Sequence, residues 1–358
     1  MAMGGWKRVI EQPQRVLITR LSAIGDCVLT LPLAVQIKRL WPSCQVAWAV
    51  SCAARQFLVH HPAVDNLIEI PRRWLNNPAS WAQLRRDLQS NRFDLVFDPQ
   101  GLTKSGLLAW LSGAPTRIGF DRSQAREIAP WAYTHRVRRT RQHMVDTFLE
   151  LLSPWFEIPP GQGDFDFPRF PEAANQVQQW LDQLRLSDAA WVGLNPGAGW
   201  PTRQWPPQRF GMLARELHRD FDRRSLVFWS GEQEHLAAQI IVEESRGGAQ
   251  LAPPCSLLEL TEFLRRCRLF VCGDTGPLHL ASAVGTPTVS LHGPTWSDVS
   301  GPYRNPHRAI QSAIPTPSRK LKRSGPPYAM LGIELSEVLA ACVGMIEQAE
   351  DPASRAAA

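Results

Sequence analysis

Six consecutive residues, Asp274-Thr275-Gly276-Pro277-Leu278-His279, bring together a carboxylate, a hydroxyl, a glycine and an imidazole just behind the apolar run Leu269-Phe270-Val271-Cys272. This order predicts a strand that stops where a helix begins. Free amides at a helix start favour anionic oxygens, and glycine lets a ligand approach the backbone closely. An anionic, hydroxyl-rich ligand such as a nucleotide sugar fits that chemistry. The same residues would also serve an ordinary helix cap, with Asp or Thr holding the free N–H groups.

A second constellation lies near the start of the chain. Arg20-Leu21-Ser22-Ala23-Ile24-Gly25-Asp26 follows the apolar segment Arg15-Val16-Leu17-Ile18-Thr19, which places Asp26 at the start of the next helix. A carboxylate there can take a proton from a hydroxyl nucleophile. It can equally cap the helix, because acidic groups are favoured near helix starts on electrostatic grounds alone. Asp98-Pro99-Gln100-Gly101-Leu102-Thr103-Lys104-Ser105 repeats the arrangement behind another apolar run and offers an amide, a glycine and a cation to a polar, anionic acceptor. A solvated lysine is the ordinary alternative. Arg72-Arg73-Trp74 and the segment Asp121-Arg122-Ser123-Gln124-Ala125-Arg126-Glu127 add guanidinium groups able to pair with carboxylate or phosphate. Scattered surface arginines would be the plain explanation; their clustering in the half that carries Asp26 favours an anionic-substrate pocket.

The later half supplies Asn195-Pro196-Gly197-Ala198-Gly199-Trp200, with Arg203 close behind. Ala198 and Gly199 permit close backbone approach, and Arg203 can neutralise a departing pyrophosphate. This is not a P-loop, since no Gly-Lys-Ser/Thr follows. In Ser230-Gly231-Glu232-Gln233-Glu234 a glutamate can accept hydrogen bonds from sugar hydroxyls, or simply complement a helix start. Two Asp-x-Asp patterns, Asp164-Phe165-Asp166 and Asp220-Phe221-Asp222, fall in a linker and at a helix end and are read as solvated carboxylates. The adjacent His60 and His61 point in different directions, so no metal is expected.

The elements that must position these residues follow from periodicity. Strands are predicted at 15–19, 46–50, 67–70 and 95–97, with helices at 28–40, 53–60, 80–90 and 105–112. Periodicity fails over 154–171, where prolines, glycines and aspartates gather, and this reads as an interdomain linker. The rhythm restarts with strands at 191–194, 225–229, 269–272 and 288–291 and helices at 207–219, 233–244, 256–266 and 277–284, before a last helix at 336–348. Alternating strand and helix predict α/β domains with parallel sheets, two doubly wound units facing across a cleft lined by loops at the strand carboxyl ends. The expected division is 1–165 for an acceptor-binding domain and 172–335 for a nucleotide-sugar domain, with a C-terminal helix and tail, 336–358, able to pack back on the first.

Length and composition agree. A chain of 358 residues exceeds a comfortable single core. With 44% hydrophobic and 20% charged residues it reads as soluble and globular, and neither a membrane-spanning run nor a signal peptide is evident, so a cytoplasmic location is expected. Seven cysteines without zinc-like spacing argue against a disulfide framework. Net charge +6 implies attraction to polyanions, which include nucleic acid, anionic membrane and phosphorylated substrates.

Taken in order, these motifs resemble glycosyltransferase family 9, the bacterial heptosyltransferases of lipopolysaccharide core assembly, over roughly residues 15–348. The acceptor-side segments Gln100-Gly101-Leu102-x-Lys104-Ser105, Gly119-Phe120-Asp121-Arg122-x-x-x-Arg126-Glu127 and Arg72-Arg73-Trp74 look like those of its heptosyltransferase I branch. The resemblance implies a GT-B fold and an inverting transfer without an obligatory metal or other cofactor. It implies ADP-L-glycero-β-D-manno-heptose as donor and a Kdo residue of lipid A as acceptor. By the same resemblance Asp26 matches the general base. Ala198, Gly199, Arg203, Glu234, Asp274, Thr275, Gly276 and His279 match the donor site. Arg20, Ser22, Arg72, Arg73, Gln100, Lys104, Arg122 and Arg126 match the acceptor side. The chain departs from the pattern at Arg20 and Arg203, where the family carries lysine, and at Ala198-Gly199, where it carries a threonine pair; charge is kept and hydroxyls are lost. Rival readings are a relative using another nucleotide sugar or glycan, a nucleotide-sugar 2-epimerase, and a non-catalytic nucleic-acid-binding protein built on the basic run Arg136-Val137-Arg138-Arg139-Thr140-Arg141. No nucleic-acid-binding module is recognisable, so no nucleic acid partner is expected. That run, with Arg319-Lys320-Leu321-Lys322-Arg323, can instead hold the enzyme at the anionic inner face of the membrane.

Overall fold

Strand-helix alternation resolves into two parallel sheets in a computed structural model, which describes residues 10–71, 74–76, 78–122, 127–187, 190–304, 306–314 and 326–350. The chain divides into two compact units, Met1–Pro168 and Arg169–Ala358. In the first, β1 (Arg15–Thr19), β2 (Gln45–Val50), β3 (Asn66–Glu69), β4 (Leu95–Asp98), β5 (Thr116–Phe120) and β6 (His135–Val137) pair in the order β3-β2-β1-β4-β5-β6. In the second, β7 (Trp191–Asn195), β8 (Arg224–Val227), β9 (Ala249–Leu251), β10 (Leu269–Gly273), β11 (Thr288–His292) and β12 (His307–Gln311) pair as β12-β11-β10-β7-β8-β9. Counted within each unit, both orders are 3-2-1-4-5-6, the doubly wound dinucleotide-fold order. Every described strand pair is parallel.

Parallel sheets are covered on both faces, so their central strands are continuous apolar runs. Val16, Leu17 and Ile18 of β1 are fully buried, as are Leu269, Phe270 and Val271 of β10. On one face of the first sheet Leu17, Ala47, Val96, Leu108 and Leu88 form a single cluster; in the second unit Val192, Val227, Val271 and Val289 pack with Phe210, Leu213 and Leu217. Helix α1 (Ile24–Leu40) is apolar on nearly every face, consistent with its near-complete burial. The final helix, Leu335–Glu350, packs on β10, β11, β12 and the helix Pro207–Phe221 within the second unit.

Four strands escape the periodicity argument. β6 and β9 have three residues each, and three of five residues of the edge strand β12 are exposed. An edge strand need not be apolar on both faces, so it leaves a weak pattern. β5 carries Arg117 and Gly119 inside a buried ladder. A methyl group at Gly119 would overlap the Tyr133 ring, which explains a glycine in the middle of a strand.

Candidate functional site

The doubly wound order puts a topological switch point between β1 and β4 in the first unit, where the chain leaves adjacent strands in opposite directions. Both chemical segments of that half sit there. Asp26 lies in the first turn of α1, half-exposed. One carboxylate oxygen accepts the Ala23 N–H at 3.2 Å and the other pairs with Arg20 Nη2 at 2.8 Å. The capping reading of Asp26 is therefore realised, and the same carboxylate stands in an ion pair with Arg20. Arg20 is buried, donates from Nη1 to the Pro99 carbonyl at 3.2 Å and lies over the Phe148 ring at 5.0 Å. Its charge is fixed beside Asp26 and also joins the two loops. Gln100 ties them a second time, its Oε1 accepting the Leu21 N–H at 2.7 Å. Ser22 is half-buried in the same loop.

Asp98 anchors the β4 loop, a role the sequence reading did not assign. It is buried and accepts hydrogen bonds from the Gln100 and Gly101 amides at 3.0 Å each, from Ser105 Oγ at 2.9 Å and from Tyr133 OH at 2.6 Å. Burial pushes its carboxyl above the usual range, and those four donors oppose the shift. Lys104 is half-buried in the first turn of α4 (Thr103–Leu111). Glu127 accepts the Thr103 N–H at 2.6 Å, which holds its carboxyl below the usual range, helped by the Lys104 charge. Arg122 is exposed and stacks on Trp131 with its guanidinium 3.6 Å from the ring centroid. Arg72, Arg73 and Arg126 lie outside the described residues, as does the basic run 319–323.

The second unit repeats the arrangement between β7 and β10. Behind β10, Asp274 is buried at the N-terminal end of α10 (Gly276–Ala283), whose N-cap Thr275 accepts the Leu278 N–H at 3.4 Å. Three groups converge on its carboxylate: Arg203 Nη1 at 3.4 Å, His279 Nε2 at 3.5 Å and Ser300 Oγ at 3.2 Å. Burial alone would raise the carboxyl; the His279 hydrogen bond and the His279 and Arg203 charges outweigh it and hold Asp274 far below the usual range. An ionised carboxylate at a helix start cannot itself take an anionic ligand. It fixes Arg203 and His279 instead, and in the first turn of α10, where Pro277 has no N–H and those of Leu278 and His279 bond Thr275, the Gly276 N–H is the amide left for an anion.

Arg203 also donates to the Asp274 carbonyl at 3.1 Å and stacks on Trp200 at 3.9 Å, so a planar cation is immobilised behind β7. Gly276 is the first residue of α10, and Ala198 and Gly199 lie in the β7 loop, where a methyl group at Gly199 would meet open space. An added methyl at Gly197 would overlap the Glu234 carboxylate, the end of a side chain that lies against this loop. Glu234, in the first turn of α8 (Gly231–Glu244), accepts the Ser230 N–H at 2.8 Å and is raised by burial. Glu234 therefore stands beside the β7 loop. His279 Nδ1 is buried without a hydrogen-bond partner.

Ser300 and His292 were not signalled by sequence. Ser300 is remote from Asp274 along the chain and carries no local motif. His292 ends β11, its Nε2 3.0 Å from Ser290 Oγ, and burial pushes its imidazole down to about 4.

Two doubly wound units, each with loops at its switch point, place the protein in the GT-B class of glycosyltransferase folds. The chain belongs to glycosyltransferase family 9, the heptosyltransferase family, whose model matches residues 81–328. It is 30% identical over 323 residues to lipopolysaccharide heptosyltransferase 1 of Pseudomonas aeruginosa, covering 84% of each chain. Among solved structures it resembles the family 9 glycosyl transferase of Veillonella parvula, at a TM-score of 0.77 and 20% identity, covering 94% of this chain and 98% of that one. It also resembles the E. coli heptosyltransferase WaaC with ADP-2-deoxy-2-fluoro heptose, at a TM-score of 0.72 and 24% identity, covering 94% and 99%. The protein is a glycosyltransferase.

Proposed function

We propose that this enzyme transfers L-glycero-D-manno-heptose from ADP-heptose to a Kdo residue of the lipopolysaccharide inner core, with inversion and without a metal. The observation that carries the donor side is the fixed group Asp274, Arg203 and His279 around the start of α10. Such a cluster presents a rigid cation and the Gly276 N–H at a helix start to a diphosphate. The relative from P. aeruginosa bears the name lipopolysaccharide heptosyltransferase 1, which supports heptose as the sugar.

On this reading the second unit binds the nucleotide sugar through Arg203, Thr275, Gly276 and His279, with Ala198 and Gly199 allowing backbone approach and Glu234 accepting hydrogen bonds from hydroxyls. The first unit orients the acceptor through Arg20, Ser22, Gln100, Lys104 and Arg122, joined by Arg72, Arg73 and Arg126. Asp26 removes the proton from the acceptor hydroxyl, whose oxygen attacks the anomeric carbon from the face opposite the diphosphate. One displacement inverts that carbon. Arg203 and the Gly276 N–H stabilise the charge that accumulates on the departing diphosphate. Arg20, held 2.8 Å from Asp26, fixes the orientation of the carboxylate that accepts the proton.

A peripheral position on an anionic membrane surface fits the net charge of +6 and the exposed Trp131 and Ile128 beside Arg122 and Arg136. The deciding experiment incubates the enzyme with a Kdo-lipid acceptor and, in separate reactions, ADP-heptose, UDP-sugars and GDP-sugars, and weighs the product. Heptose addition from ADP-heptose alone is expected; efficient transfer of another sugar would reject the donor assignment.

A further inference from the structure

The described cysteines include one close pair, and it adjoins Asp26. Cys27 follows Asp26 in α1 and is buried; Cys52, in the turn after β2, is half-buried. Their sulfurs are 4.0 Å apart. The surroundings hold the pair against the Asp26 loop. The Arg20 carbonyl accepts from Cys27 Sγ at 3.6 Å and from Trp48 Nε1 at 3.0 Å, and the Ser51 N–H bonds the Leu21 carbonyl at 3.0 Å.

We propose that Cys27 and Cys52 form a reversible thiol-disulfide pair whose oxidation displaces the first turn of α1 and switches off the Asp26 base. The oxidant belongs to the hydroperoxide class. The Cys52 thiolate attacks the terminal peroxide oxygen, the O–O bond breaks, and Cys52 sulfenic acid forms as hydroxide (from hydrogen peroxide) or alkoxide (from an organic hydroperoxide) leaves. The Cys27 sulfur then attacks the Cys52 sulfur, the S–O bond breaks, and the Cys27 proton leaves with the oxygen as water. A dithiol reductant then returns both cysteines to thiols by exchange and is itself oxidised to a disulfide.

The two thiols are prepared unequally. The Cys27 S–H, shared with the Arg20 carbonyl, brings Cys52 down to about 7 against the opposing effect of burial, and the Ala54 amide adds to it. Cys27 is pushed well up by burial. Burial also pushes Cys44 up to about 11 and Cys255 to about 12, and raises Cys267, Cys272 and Cys342 further. Oxidation therefore begins at Cys52, the half-exposed thiol with the larger thiolate fraction.

Closure has a mechanical consequence. A disulfide needs its sulfurs about 2.05 Å apart, so roughly 2 Å of approach is required. Cys27 gives up its bond to the Arg20 carbonyl and draws on Asp26, its covalent neighbour. Arg20 loses its alignment with Asp26 in the same movement.

The experiment treats the full-length enzyme with hydrogen peroxide and reads intact mass, disulfide-linked peptides and turnover in parallel. Expected are a loss of two hydrogens, a peptide joining Cys27 to Cys52, and a fall in kcat on the order of 10²-fold, the scale set by misplacing a reacting group by about 1 Å. Dithiothreitol restores all three. Cys52→Ser should keep its basal turnover and resist peroxide, whereas Cys27→Ser should accumulate sulfinic acid at Cys52. No cross-link in the native protein, or equal inactivation of Cys52→Ser, would overturn the proposal. The activity readout rests on Asp26 acting as base. The cross-link does not, so a cross-linked enzyme with undiminished turnover would reject the switch, while a failed Asp26 assignment would appear in unoxidised enzyme.

Discussion

At the scale of single residues, the contrast between Asp26 and Asp274 separates a carboxylate that can react from one that supports. Asp26 is half-exposed and shares one guanidinium; Asp274 is buried among Arg203, His279 and Ser300. Replacing Asp26 by Asn should reduce kcat by about 10²–10⁴-fold with donor affinity unchanged, since a general base acts on the acceptor proton alone. Calorimetric donor titration beside steady-state kinetics checks both halves. Asp274→Ala should instead weaken the fold by about 3 kcal/mol, because it strands the half-buried Arg203 charge and the buried His279, and donor binding should be lost with it. Urea unfolding measures the first effect. His292 and His61 set a pH dependence of their own. Burial pushes both imidazoles down, His292 to about 4. In the unfolded chain histidine titrates near 6.5, so between about 6.5 and about 4 the unfolded state binds protons that the fold refuses. Stability is complete above that window and falls as the pH drops through it, by up to about 1.4 kcal/mol per pH unit from His292, with His61 acting in the same direction. Asp98 and Glu234, raised by burial, act in the opposite sense. His292→Gln should therefore lose less stability than the native chain between pH 7 and pH 5; an unchanged difference would remove His292 from this account.

At the scale of elements, the β4 loop depends on a neighbour that no local pattern announces. Tyr133 reaches Asp98 from the segment before β6, and Gly119 in β5 leaves room for its ring. Removing the hydroxyl in Tyr133→Phe leaves Asp98 with three donors and a desolvated oxygen. A loss of about 1–3 kcal/mol is expected, read as a lower denaturant midpoint. Central elements were legible in sequence because burial on both faces demands continuous apolar runs: β1, β4, β7, β10 and β11 stand within a residue of their predicted bounds. Strands β6, β9 and β12 were not, because short or exposed edge strands satisfy weaker constraints. Helix starts were displaced by up to four residues, as at α1, because glycine and polar residues of a first turn also read as loop.

At the scale of the whole molecule, charge is the property that acts at a distance. A net charge of +6 favours anionic surfaces, and no described helix is long and apolar enough to cross a membrane. Binding to vesicles containing phosphatidylglycerol should exceed binding to phosphatidylcholine vesicles and should decline steeply as salt is raised, since each basic side chain near the surface contributes about 1 kcal/mol that screening removes. Equal sedimentation with both vesicle types at low salt would reject the peripheral membrane role. The two units have the same internal topology and different loops, so one framework carries two distinct switch-point constellations.

Sequence alone determined the repeated βα rhythm, its interruption over 154–171 and which polar segments follow the strands, because hydrophobic periodicity and the residues at strand ends are local properties. Tertiary structure decided how those residues are used. Gln100 joins two loops, Arg203 is locked against Asp274, Glu234 lies against the Gly197 loop, and Cys27 meets Cys52. Each is a contact between segments far apart in the chain, set by strand order, and strand order is a property of the assembled sheet that no single stretch of residues encodes.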